Sequence, residues 1–502
     1  MKVLLIRPPV YRHVTAQSRS YAPVGLATVA AGLRDAGHEV AILDAEIGER
    51  NDPVGGGVFR RGMPDEEIRA RVTEFAPDAV GLSCMFAVSM PAIVDLAALV
   101  RPLFEGPMVA GGYAATSDPE YLFENTPIDS VILGEGELAF AKYLEAWPQV
   151  ERIVPQTWEP DLDSYPRPAY DLIDFELYRE FETTFVGLPQ EALNVRSVGV
   201  QSSRGCPVGC NFCSVQLISG TPLRRRDPKK FVDELIRLRD ELGIRKVHFF
   251  DDNLTLNRSH ALAVFLEMAA RCPMPWVATQ GTGVWNWDAE LLDAAKASGM
   301  LYLSLPIESG SEYVLHEIMH KKPLKLGHVK DVVRMCREKE IPTFAWVIIG
   351  SPGETKADME MGLYLLNQLD VDYRIASVVT PYPGSELFDE CVEKGYIETP
   401  LRFELLRMAQ GMITTPEFSA GYTTARVAAW TLRGRLKVGQ GVATVLRKCF
   451  RAHGLTTTLR AIGLAVLEWW RYGVRGIDPL AVDPPQRKGA QRPSSAAPSP
   501  MQ

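Results

Sequence analysis

Residues 202–216 read SSRGCPVGCNFCSVQ. Three of the chain's eight cysteines fall here, at Cys206, Cys210 and Cys213, spaced Cys-x3-Cys-x2-Cys. Thiolates are soft ligands that select zinc, copper(I) or iron–sulfur clusters. A structural zinc site wants four ligands, usually as two separated pairs. The nearest further candidates, His248 and Cys272, lie 35 or more residues beyond Cys213, and neither has a paired partner. A cubane cluster also usually takes four cysteines, so a loop with three leaves one iron open. An open iron is a site for chemistry rather than a structural knot. Gly205, Gly209 and the Pro207 turn suit a backbone wrapped tightly around a bulky group.

The loop follows the apolar run SVGVQSS (197–203), the first of six strand-like segments. The others are KVHFFDD, PWVATQG, LYLSLPIES, PTFAWVIIG and RIASVVTPYP, separated by amphipathic stretches such as PKKFVDELIRLRDEL and KLGHVKDVVRMCREKE. Six strands are two short of a closed eight-stranded barrel. An open, partial barrel is therefore expected, with its chemistry at the strand C-termini. The cysteine loop lies at such an end.

Upstream, KVLLI, VAILD, AVGLSC, PMVAGG and DSVILGEGE read as buried strands. They alternate with VGLATVAAGLRDAG, DEEIRARVTEF, PAIVDLAALVRPLF and PEYLFEN, which read as helices. Continuously apolar strands joined by helices predict a doubly wound parallel sheet, with a ligand at the strands' carboxyl ends. Neither G-x-G-x-x-G after the first strand nor G-x4-G-K-[ST] occurs there, which argues against a dinucleotide or a triphosphate.

The expected organisation is α/β throughout its first 400 residues: a doubly wound domain over 1–147, an ordered connector rich in Pro, Asp and aromatics over 148–196, and a barrel core over 197–400. A helical region over 401–482 and a disordered tail over 483–502 follow. Between 421 and 475 stand ten Arg or Lys against one acid, Glu468. The stretch LRAIGLAVLEWWRYGVRG is too interrupted to span a membrane. It reads as a packing helix, a cap over a substrate pocket or a membrane-surface helix.

Apolar residues at 46 % and charged residues at 23 % are ordinary for a protein with a full core, and the net charge of −8 gives no reason to expect nucleic acid. Five scattered cysteines are not a disulfide scaffold, and the apolar run after Lys2 ends at Arg7, too short for a signal peptide. A cytoplasmic protein with reduced thiols is expected.

The cysteine spacing after the first strand of a partial barrel resembles the radical S-adenosylmethionine (SAM) enzymes, over roughly residues 197–400. The resemblance implies a [4Fe-4S] cluster on Cys206, Cys210 and Cys213. The open iron would be chelated by the amino and carboxylate groups of SAM, whose reductive cleavage yields a 5′-deoxyadenosyl radical. An electron donor such as flavodoxin or ferredoxin is then a partner. By position, Asp251, Asp252 and Asn253 in FFDDNLT match the place of methionyl contacts, although the usual Gly-Gly-Glu is absent. Glu308 in PIESGS matches a ribose contact or, on its residue type alone, a helix N-cap. Gly350, Pro352 and Gly353 in IIGSPGET match an adenine-facing turn, a stretch that also reads as a turn into a helix capped by Thr355.

YAPVGLATVAAGLRDAGHEV, PDAVGLS, VAGGYAA and VILGEGE, in this order ahead of such a barrel, resemble the cobalamin-binding domain of B12-dependent radical SAM enzymes. Ser83, Gly111 and Gly112 would then line the slot for the nucleotide tail, and Gly134, Glu135 and Gly136 would lie near its upper rim. Cys84 stands at a strand end on the expected corrin side. Many such domains carry D-x-H-x-x-G after the first strand. His13 has neither an Asp two before it nor a Gly three after it, and reads as a solvated loop residue.

The function these resemblances imply is methylation of an unactivated carbon, or a phosphinate phosphorus, of a small molecule that is free, anionic or carrier-borne. The same cofactors also serve cyclases and ring-rearranging enzymes without methyl transfer. A non-catalytic metal or cobalamin sensor is the alternative of another class.

Overall fold

The computed structural model describes residues 1–13, 21–55, 58–180, 195–278, 281–401, 403, 411–437, 455–464 and 466. The first unit holds strands β1 (Lys2–Arg7), β2 (Val10–His13), β3 (Glu39–Asp44), β4 (Arg50–Gly55), β5 (Val58–Gly62), β6 (Ala79–Ser83), β7 (Met108–Gly111) and β8 (Ser130–Ile132), and β9 (Ile153–Val154) comes from the connector. Six of them make one parallel sheet, ordered β3-β1-β6-β7-β8-β9. Along β1, Leu4 and Ile6 enter one apolar cluster while Val3 and Leu5 enter the other. Successive side chains alternate faces, so burial of both parities needs helices on both sides. Val24–Asp35, Asp65–Phe75, Met90–Val100 and Pro119–Asn125 are among those the unit contains. The strand order reverses at β1, which puts Ser83, at the end of β6, beside the switch point where ligands bind in such sheets.

Two features were not expected. The connector supplies β9, a sixth strand. β2, β5 and β4 form a separate antiparallel sheet, in which the backbone of His13 pairs with Val58. His13 therefore lies on a strand rather than in a loop; its side chain is outside the described residues. The short polar repeats of this sheet lack the apolar alternation that marks a strand in sequence.

The second unit holds β10 (Arg179–Glu180), β11 (Val195–Val200), β12 (Ser203–Arg204), β13 (Arg224–Arg225), β14 (Lys246–Phe249), β15 (Trp276–Ala278), β16 (Leu303–Glu308), β17 (Thr343–Ile349) and β18 (Tyr373–Val378). Six strands run parallel in chain order as two triplets, β11-β14-β15 and β16-β17-β18, joined by a parallel bridge from Trp276 to Met300. This is the open partial barrel. Its helices start where their caps stand. Asp227 accepts from the amides of Lys229 and Lys230, and Thr355 and Asp358 form a capping box. Helix Ala420–Lys437 packs on β18, and the bidentate pair of Arg426 with Glu360 ties it to the barrel. Among the described residues no helix is long and apolar enough to cross a membrane. The expected tail (483–502) and most of the basic region beyond Lys437 lie outside the described residues.

Candidate active site

Each element of the site begins at the carboxyl end of a strand. β11 ends at Val200, and the cysteine loop leaves it through Ser202 and Ser203. The Asp251 carboxylate accepts from the Ser202 amide at 3.1 Å and from the Ser202 and Ser203 hydroxyls at 2.7 Å. Burial pushes its carboxyl up to about 6, opposed by those donors. Asp252 accepts from the Gly205 amide at 2.7 Å. Gly205 has φ +95°, and a Cβ there would meet the Pro222 carbonyl oxygen at 2.1 Å, so only glycine fits. Further on, the Asn211 amide donates to Met319 O and the Leu387 amide to Asn211 O. The loop is thus pinned by the end of β14, by Met319 after the turn Val314–Ile318 and by helix Glu386–Glu393.

Cys206 and Cys210 are half-buried and Cys213 is exposed. Burial raises all three thiols, Cys210 to about 12 and Cys213 to about 11. Cys206 and Cys213 push Cys210 up further and Cys206 does the same to Cys213, while the Lys321 ammonium opposes the shift at all three. Yet among the described residues no three His, Cys, Asp or Glu side chains converge to grasp one ion. Zinc would hold its thiolates at about 2.3 Å. Three thiols are a soft donor set of the kind that binds an iron–sulfur cluster.

Two buried polar atoms beside the thiols lack any partner: Asn253 Oδ1 and Glu308 Oε2. Each leaves a buried acceptor open toward the cysteine loop. Glu308 is 4 % exposed, and its other oxygen accepts from Lys321 Nζ at 2.8 Å, while Lys321 also donates to Pro306 O at 2.7 Å. Its φ of +66° is costly for a glutamate, and the β16–β17 register shifts at this point. Glu308 caps no helix. The strained backbone and the clamped Oε1 leave Oε2 as a fixed, free acceptor. On β17's exit loop, Gly350 (φ +97°) is covered by Thr423, since a Cβ would approach Thr423 Cγ2 to 3.0 Å, whereas Pro352 is buried and Gly353 exposed. Glu354 Oε2 accepts from the Gly350 and Ser351 amides at 2.6 and 3.1 Å, and its Oε1 is a third orphan.

At the carboxyl edge of the first sheet, Ser83 and Gly111 are half-buried, and the nearest atom to a Cβ on Gly111 would be Ile132 O at 3.8 Å. The protein itself does not require glycine there. Gly112 is different: its φ is +97° and a Cβ would meet Cys84 O at 3.0 Å. Met85 and Phe86, just past β6, are 47 % and 63 % exposed. Small residues beside exposed apolar side chains suit a flat, largely apolar macrocycle with a slender tail. Cys84 does not face it. It is fully buried against Met90, and burial pushes its thiol up to about 12.

Some expected cofactor contacts are committed elsewhere. Asp251 is buried beneath the cysteine loop, facing away from any ligand space. Gly134 lies under Gln156, whose side chain a Cβ would strike at 2.5 Å, and Gly136 packs near Val29. Glu135 is 5 % exposed and accepts from Arg224 at 2.5 and 3.0 Å and from Tyr165 at 2.8 Å, with Arg204 at 3.2 Å. Glu137 meets Arg204 at 2.8 Å. These acids join the two units instead of lining a slot.

Sequence reading also missed two residues. Lys321 follows a π-helical turn (Val314–Ile318) without any local signal. Tyr113, after β7, donates to Ser214 Oγ at 2.5 Å and lies 2.8 Å from Pro383 O. Its phenol lies near enough to Cys213 to feel its charge. The carboxyl edge of the first sheet therefore faces the cysteine loop directly.

Fold and site together define a radical SAM barrel coupled to a cobalamin-type domain. Residues 15–144 match the B12 binding domain model, and residues 200–363 match the radical SAM superfamily model. The chain is 32 % identical over 483 residues to cytidylyl-2-hydroxyethylphosphonate methyltransferase of Streptomyces wedmorensis, covering 85 % of this chain and 88 % of that protein. It is 26 % identical to the anaerobic magnesium-protoporphyrin IX monomethyl ester cyclase of Synechocystis, covering 79 % of each. The fold resembles that of the radical SAM methyltransferase TsrM from Kitasatospora setae with cobalamin and a [4Fe-4S] cluster bound (TM-score 0.62, 18 % identity, 92 % of this chain and 99 % of that one). The chain belongs to the cobalamin-dependent radical SAM enzymes, on the methyltransferase side of that family. Its cofactors are a [4Fe-4S] cluster, SAM and cobalamin.

Proposed function

We propose that this enzyme transfers a methyl group from SAM, by way of cobalamin, to an unactivated carbon of a small molecule. The observation that carries the reading is the face-to-face arrangement of the two strand edges, with Tyr113 bridging Gly112 to Ser214 beside Cys213. The cofactors supply the radical and the methyl carrier; the chain binds, orients and excludes water. Cys206, Cys210 and Cys213 hold the cluster. Asn253 Oδ1 and Glu308 Oε2 accept hydrogen bonds from SAM, and Lys321 fixes the Glu308 rotamer. Gly353 admits the adenine edge. Ser83 and Gly111 line the slot for the cobalamin tail, with Met85 and Phe86 against the corrin.

Each turnover needs electrons from a flavodoxin- or ferredoxin-type donor. The similarity to a cytidylyl-hydroxyethylphosphonate methyltransferase supports phosphonates and their nucleotidyl esters as the first substrates to try. Anaerobic turnover of such a panel with methyl-deuterated SAM tests the function. Label in a methylated product is expected. An unlabelled, cyclised product would assign the chain to the cyclase chemistry of its other relatives.

A further inference from the structure

The hairpin that closes the cysteine loop pairs Ser203 with Arg225 and Arg204 with Arg224. It leads into PLRRRDPKK (222–230), with five cations and one acid in a chain of net charge −8. Arg224 and Arg226 are spent internally, on Glu135 and on Asp163 and Glu234. Arg225, Lys229 and Lys230 are exposed, and none has an ion pair among the described residues. Lys229 and Lys230 stand in the first turn of helix Pro228–Leu242, which has no acid there. Cations at a helix N-terminus oppose the macrodipole. Helix Asp65–Phe75, by contrast, carries Asp65, Glu66 and Glu67 in its first turn. A cavity of about 620 Å³ opens between Pro160, this arginine run, Pro228 and His260.

A small anion finds little to hold it here. The guanidinium of Arg224 is committed to Glu135, Glu159 O and Ser219 O, and the first free amides of the helix go to Asp227. What remains is a spread of long, solvated cations, which suits a broad acidic surface. Its distance from the cluster loop is short. Arg225 lies across from Ser203, about 5 Å away, and Cys206 is three residues further at roughly 3.6 Å per residue, so the Cα atoms of Arg225 and Cys206 are within about 16 Å.

We propose that Arg225, Lys229 and Lys230 form the docking surface for an acidic one-electron carrier protein. This rests on the radical SAM reading above. The carrier's reduced flavin or iron–sulfur centre gives up one electron through the cysteine loop. With it, the C5′–S bond of SAM breaks into methionine and the 5′-deoxyadenosyl radical. Encounters of this kind bury little area and are steered by charge.

The test uses reconstituted holoenzyme and the triple variant R225E/K229E/K230E. Reduced flavodoxin and titanium(III) citrate are compared as donors for SAM cleavage, and flavodoxin binding is measured separately by calorimetry. The variant should bind flavodoxin at least about tenfold more weakly and cleave SAM correspondingly more slowly with it. With titanium(III) citrate it should match the wild type. Raising the salt concentration should slow the wild type with flavodoxin and, by screening the introduced repulsion, speed the variant, so that the two converge. Equal flavodoxin binding by the two proteins overturns the proposal, as does an equal loss with both donors. Calorimetry does not depend on turnover, so failure of methyl transfer leaves this result readable.

Discussion

At Glu308 a left-handed backbone, a buried carboxylate and a single lysine partner coincide. Left-handed glutamates are costly and persist where the surroundings over-determine them. The clamp by Lys321 and the orphaned Oε2 supply that reason if a ligand completes the set. The cysteines need a different test. Replacing any one of Cys206, Cys210 or Cys213 by Ala should abolish iron and sulfide incorporation on anaerobic reconstitution, whereas Cys336→Ala and Cys391→Ala should incorporate normally. Those two thiols are fully buried in the barrel core. Glu354 carries a pH prediction. Burial pushes its carboxyl from 4.5 up to about 8, against the Gly350 and Ser351 amides. Between those values the folded chain keeps a proton that the unfolded chain has lost. Its contribution to stability is therefore fully present below pH 4.5 and gone above pH 8. At 1.36 kcal/mol per unit the upper bound is about 5 kcal/mol. Glu354→Gln, which still accepts from both amides, should gain on the wild type across this window in thermal melts of the apoprotein. A constant difference at all pH values would show that Glu354 does not titrate there.

Among the elements, the buried ion cluster of Glu135, Glu137, Arg204 and Arg224 ties the end of β8 to the hairpin flanking the cysteine loop. Removing one partner of a buried pair leaves an uncompensated charge, typically costing about 3–5 kcal/mol. Glu135→Ala should lower the unfolding midpoint accordingly and speed proteolysis between the units. Glu135→Leu with Arg224→Met should recover much of the loss. If the single variant is as stable as wild type, the cluster is not the joint between the units. The strands and helices were legible because their apolar periodicity is local: DEEIRARVTEF, PEYLFEN and PKKFVDELIRLRDEL are helices over the expected residues. The cysteine spacing was legible for the same reason. The ion pair of Glu135 was not legible because its partner Arg224 stands 89 residues away, and no local pattern reports that pairing. Asp251 and Asp252 are neighbours in sequence, but Asp251 points inward to the two serines and Asp252 to Gly205. Two-residue β9 and the polar β2-β5-β4 sheet carry too little periodicity to be seen.

On the scale of the whole molecule, two parallel sheets present their carboxyl edges to one another, and Tyr113, Ser214 and Pro383 meet at the seam. A doubly wound domain binds at that edge, and a partial barrel reacts at it. Their apposition would place the residues that hold the cluster and SAM opposite those that hold cobalamin, so that one substrate between them could be served by both. Helix Ala420–Lys437 closes on β18 and Gly350, on the side the missing barrel strands leave open. If methyl passes from SAM through cobalamin to a substrate radical, each turnover consumes two SAM molecules by different chemistries. The most direct measurement is the amount of 5′-deoxyadenosine and S-adenosylhomocysteine formed together during anaerobic turnover. Both should rise in equal amounts with the methylated product. Substrate-dependent 5′-deoxyadenosine without matching S-adenosylhomocysteine would contradict methyl transfer.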